Sequence, residues 1–192
     1  KLIEFAFERG LLSARVIPLL TILVFKRATS SPYAAMTTLE RMLAKRAVSP
    51  ELTKGIVDEV TSFIEVGYDD YEYTKRDPDE SFNLFLEATT PLLTGRDKEE
   101  IRKLRDMARS IMERGDSKLN ALIYLLENIM AEEGSKVIVF TEYKDTLSYM
   151  VKGLKLRHPE WSRNILKLSS DETRDEKIFQ KIRRAFEEDP RA

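Results

Sequence analysis

Apolar residues recur at three- and four-residue spacing through most of the first 115 positions, the period of an amphipathic helix. After Ser31, the residues Met36, Leu39, Met42 and Leu43 form one such stripe. After Ser49, Leu52, Ile56, Val60, Phe63 and Ile64 form another. Each stripe opens on a Ser-Pro pair (Ser31-Pro32 and Ser49-Pro50), a capping hydroxyl followed by a ring preset for the first helical turn. From Leu2 to Phe25 the chain is rich in Leu, Ile, Phe and Ala, with Pro18 predicting a kink or break. Asp97 followed by Glu100 resembles a capping box without its Ser or Thr. It opens a predicted helix with Ile101, Leu104, Ala108 and Ile111 inward, ended by Gly115. Residues 1–115 therefore read as a helical bundle or part of one.

Beyond Gly115 the period changes. Asp116 or Ser117 caps a predicted helix with Leu119, Leu122, Ile123, Leu126, Ile129 and Met130 on its apolar face, ended by Gly134. Lys136–Phe140 then gives a short continuous apolar run with three β-branched residues, the pattern of a strand buried on both faces. A helix from Asp145 to about Lys155 follows, then a second short strand at Ile165–Leu168. A last helix runs from about Thr173, with Ile178, Ile182 and Phe186 inward. Strands alternating with helices predict right-handed crossovers and a parallel sheet. The fold expected is mostly α with a small α/β part: a helical region over 1–115 and an α/β region over 116–192. Two strands cannot make a covered sheet alone. That broken pattern, with Lys1 rather than Met at the start, suggests a piece of a longer protein.

Composition narrows the function classes. Among 192 residues, 32 Lys and Arg nearly cancel 33 Asp and Glu, a formal charge of −1 that argues against a polyanion-binding tail. The average conceals a contrast. Lys26, Arg27, Arg41, Lys45 and Arg46 make a basic stretch over 26–46, whereas 65–80 carries seven acids interleaved with Tyr68, Tyr71 and Tyr73. The acidic stretch reads as an exposed loop, with docking of a basic partner as its functional alternative. With no Cys and one His, a disulfide framework and a Cys/His zinc site are excluded. The longest apolar run, near Leu19–Phe25, falls short of the ~20 residues a membrane span needs. No signal peptide is present, so a cytoplasmic protein with no membrane partner is expected.

No self-contained active site can be assembled. The glycines at 10, 55, 67, 95, 115, 134 and 153 build neither a phosphate-binding loop nor a dinucleotide fingerprint. There is no nucleophile elbow. A Ser-His-acid triad would depend on His158, which sits in a Leu-Arg-His-Pro-Glu turn and reads as structural. No catalytic, cofactor-binding or metal-ligating residue is assigned.

Two stretches resemble a known family. Ser117-Lys118-Leu119, the leucines after them, and Lys136-Val-Ile-Val-Phe-Thr-Glu-Tyr143 resemble the start of the second RecA-like lobe of superfamily-two helicases and translocases. The branch is the SWI/SNF or RapA-like one. Leu168, Arg174, Glu176, Ile178 and, at looser spacing, Phe186 continue that resemblance. Upstream, Lys26-Arg27, Ser30-Ser31-Pro32-Tyr33-Ala34 and Leu39-Glu40-Arg41 resemble a segment lying between the two lobes in archaeal and bacterial members. Residues 50–95 match nothing in the family. Where the family commonly has Gly after the second strand, this chain has Ser169.

The resemblance implies a helical inter-lobe region followed by a truncated RecA-like lobe, from an ATP-dependent DNA translocase or helicase. It implies ATP and magnesium in the intact parent, held by residues outside this chain, and none for this piece, which alone should hydrolyse nothing. Its partners would be the missing first lobe and nucleic acid, double-stranded DNA above all. Ligands bind at the carboxyl ends of parallel strands. Thr141 and Lys144 after the first predicted strand, and Ser169 and Arg174 after the second, would then form a rim tracking phosphates without reading bases. Arg41 and Lys45, four residues apart on a helix, could face DNA as well. The alternative is a non-enzymatic helical adaptor docking a basic partner through 65–80. On the residues alone, Thr141 and Ser169 read as ordinary caps, with Arg174 pairing with Asp171 or Glu172 in solvent.

Overall fold

The computed structural model describes residues 16–44, 79, 82, 83, 85, 86, 93, 95–132 and 135–188. The chain divides into two compact units, Lys1–Ile111 and Met112–Ala192.

In the first unit, α1 (Val16–Ser30) and α2 (Pro32–Leu43) meet at Ser31. Ser31 is extended (φ −158°, ψ 155°), and its hydroxyl accepts from the Ala34 N–H at 3.0 Å while Pro32 opens the helix. Pro18 does not break α1. It lies in the first turn, where a missing N–H costs nothing. Leu23 of α1 and Leu39 and Met42 of α2 bury themselves with Phe82, Phe85, Leu86 and Ile101, the last from α3 (Gly95–Arg114). The inward face expected for α3 is only half realised. Ile101 and Ala108 are buried, but Leu104 and Ile111 are exposed. The Ser49-Pro50 helix and the body of the acidic stretch lie outside the described residues.

Arg27 corrects the reading of the basic stretch. It is 1% exposed, pairs with Asp79 and sits 4.3 Å from the centre of the Phe82 ring. Asp79, counted among the acids of an exposed loop, is helical and supplies the counter-charge that lets a guanidinium enter an apolar core.

In the second unit, Gly115 takes φ +111°, a left-handed conformation suited to glycine just beyond a helix end. Asp116 caps α4 (Ser117–Met130) by accepting the Lys118 N–H at 2.9 Å. It also accepts the Tyr149 hydroxyl. Burial, reinforced by this carboxylate, pushes that phenol up to about 12. Ile123 and Leu126 of α4 pack on Leu154 of α5 (Lys144–Arg157), with Leu119, Leu122, Val137, Trp161 and Ile165 around them. Gly153 permits the approach of α4 and α5, since a Cβ there would lie 2.7 Å from Leu119 Cδ2. A 3-10 turn (Pro159–Arg163), a one-turn helix α6 (Ser170–Thr173) and α7 (Glu176–Glu188) complete the unit.

The expected parallel α/β lobe is not formed. Among the described residues there is no strand, and 136–140 and 165–168 run without helix or ladder. A strand exists only through pairing with a neighbour, whatever its side chains favour. Burial on both faces fails too. Val137 joins the core, but Ile138 and Phe140 are 61% and 89% exposed. The Lys136 ammonium donates to the carbonyls of Phe186 and, at 3.3 Å, Glu187, tying this segment to the end of α7. On α7, Ile178 is exposed, whereas Phe179, Ile182 and Phe186 are half-buried along an apolar pocket.

Candidate nucleic-acid interface

The expected rim residues follow the two extended segments. Thr141 and Tyr143 lead into α5, which Tyr143 caps without a side-chain hydrogen bond. Lys144 opens that helix. Ser169 caps α6, and Arg174 ends it. The Lys144 ammonium bonds Asp171 at 2.8 Å, bridging 27 residues of sequence. The turn before α5 and the turn around α6 therefore adjoin, so Lys144 and Ser169–Arg174 belong to one surface.

The rim is self-neutralised. Glu172 accepts from the Ser169 hydroxyl and from its backbone N–H at 2.8 Å, completing a capping box. Burial works against the Glu172 charge. Its bonds to Ser169 and the nearby Lys167 ammonium, 3.6 Å away, more than offset that and hold the carboxyl below its usual range. The Ser-x-x-Glu pattern over 169–172 is the sequence signal for this cap, the role that the residues alone offered for Ser169. Arg174 stands exposed. Asp171 and Glu172, its candidate partners, are engaged by Lys144 and by Ser169 with Lys167.

The other expected contacts are not brought to this surface. Arg41 is half-buried in the last turn of α2, within the first unit, and Lys45 lies outside the described residues. The stretches that carry the family resemblance are largely scaffolding. Arg27, Ser31, Ala34 and Leu39 are core or cap in the first unit, and Leu119, Leu122 and Val137 pack the core of the second.

Behind the rim lies an apolar cavity of about 440 Å³ within the second unit, bounded by Leu126, Val137, Phe140, Leu154, Trp161 and Phe186 among others. At its edge His158 Nε2 lies 2.8 Å from Glu127 and Nδ1 2.8 Å from Glu160. The imidazole stacks on Trp161 with ring centroids 3.9 Å apart and planes 13° from parallel. No local pattern announces Glu127, which lies 31 residues before the histidine.

The chain has no phosphate-binding loop, and no group of three metal-capable side chains occurs among the described residues. No described helix is long and apolar enough to cross a membrane. Comparison with known protein families, curated proteins and solved structures finds no match to this chain.

Proposed function

We propose that this chain is part of a nucleic-acid-dependent ATPase, a DNA translocase or helicase of the SWI/SNF or RapA-like type working in the cytoplasm. Its second unit grips the phosphate backbone of duplex DNA. The observation that supports this reading is the Lys144–Asp171 contact, which joins the two turns that the family pattern assigns to one phosphate-tracking rim. Lys144 exchanges Asp171 for a phosphate oxygen, and Arg174, already exposed, takes a second. Ser169 serves mainly to shape the turn, because Glu172 occupies its hydroxyl and N–H. Thr141 lies at the entry to the same turn. Such a grip is indifferent to base sequence and weak enough to release, as stepping requires. ATP and magnesium belong to other parts of the parent protein.

The test is fluorescence anisotropy of a labelled duplex titrated with the 192-residue chain across a range of salt. Binding should weaken linearly with log salt, and Arg174→Ala or Lys144→Ala should each flatten that slope by about 1. Asp171→Asn removes the carboxylate that competes with phosphate for the Lys144 ammonium and should tighten binding. Affinities unchanged in all three variants, or no binding at low salt, would overturn the proposal.

A further inference from the structure

His158 is the one histidine of the chain and Trp161 its one tryptophan, and they are stacked on each other. The imidazole touches a carboxylate with each nitrogen, Glu127 from α4 and Glu160 from the 3-10 turn, both at 2.8 Å. Carboxylates only accept hydrogen bonds, and a neutral imidazole carries a single N–H. Both contacts can be made together only by the imidazolium. Lys155 and Arg157 on the last turn of α5, and Arg163 in the 3-10 turn, are exposed to solvent. The Glu160 contact, partly opposed by burial and reinforced by Glu127, raises the His158 pKa above its ordinary value.

We propose that His158 is a proton-operated clamp: protonated, it fastens α4 to the turn after α5 and fixes Trp161 in the cavity wall, and neutral, it must release one carboxylate. Trp161 packs against the core cluster and lines the apolar cavity, so the clamp controls how firmly that wall is held. The device switches above the ordinary titration range of histidine, because both carboxylates favour the imidazolium.

The wild-type chain carries its own reporters. The single imidazole resonance, followed by NMR against pH, should titrate with a midpoint above 6.5, the ordinary histidine value. Trp161 emission should follow the same curve, because a stacked imidazolium quenches an indole more than neutral imidazole does. Glu127→Gln and Glu160→Gln, which keep size and hydrogen bonding but remove charge, should each move that midpoint down toward 6.5. A wild-type midpoint at or below 6.5, or emission that does not follow the imidazole resonance, overturns the clamp. So do unchanged midpoints in both variants. The NMR reading needs no variant, so a poorly folding mutant does not shelter the proposal.

Discussion

The Arg27–Asp79 pair makes the sharpest prediction for the first unit, because its two ends are unequally buried. The Arg27 side chain is 2% exposed and that of Asp79 17%. Asp79→Asn takes one carboxylate from a guanidinium held in the core, which keeps its other contacts, so its cost is bounded by the about 3–5 kcal/mol of breaking a buried pair outright. Arg27→Met instead removes the deeper charge and keeps an apolar stem. It leaves behind a carboxylate that already reaches water, and its main further loss is the cation–π contact with Phe82, about 0.5–2 kcal/mol. The expected order is therefore Asp79→Asn worse than Arg27→Met, with the double variant well short of the sum. Urea unfolding followed by circular dichroism measures this. With a slope of about 1–3 kcal/mol per molar, a 3 kcal/mol loss moves the midpoint by about 1–3 M. Trp161 lies in the other unit, so its emission tracks a different core during the same titration. A cost below about 1 kcal/mol for Asp79→Asn, or the reverse order, would refute the argument that burial sets the penalty.

Three further outcomes follow from single features. Ser31→Ala removes the cap of α2 and should cost about 1 kcal/mol by urea or thermal unfolding, and Ser31→Asp should recover most of it. Phe140→Ser should change stability by no more than about 0.5 kcal/mol, because the ring is 89% exposed. A phenylalanine buried in a sheet would instead lose about 3–5 kcal/mol on truncation. The His158 clamp gives the second unit a pH window. Its raised histidine contributes fully below about 6.5 and loses that contribution as pH rises through the folded pKa. Glu160 is held below its usual range by its own backbone N–H and by His158, so it adds stability above its ordinary pKa and loses it toward acid. Thermal midpoints of wild type and Glu127→Gln should differ most between these limits and converge at high pH.

What could be read from the sequence was local. Ser31-Pro32 and Asp116 announce their caps within a few residues, and the stripe through Leu39 and Met42 marks the buried face of α2. The same reading failed wherever the answer lay far along the chain. Val137–Val139 has the β-branched composition of a strand, but a ladder depends on a partner that composition does not contain. Arg27 belongs to a run of basic residues and looks solvated until Asp79, 52 positions later, is brought beside it. At the rim, a contact across 27 residues sets Lys144 beside Asp171, while the carboxylates that neutralise this surface were already present in the sequence at 171 and 172. The capping box at Ser169, by contrast, is local, and Ser-x-x-Glu over 169–172 marks it.

Lys136 has a bearing on how the protein behaves in a crowded solution. A charged residue flanking an apolar run ordinarily discourages other chains from stacking onto it. Here the ammonium is turned inward onto the Phe186 and Glu187 carbonyls at the end of α7. The Val137–Phe140 run, uncharged and holding two largely exposed side chains, is left with that guard facing away. Self-association through this run is then expected to rise with protein concentration, and sedimentation velocity over a concentration series measures it.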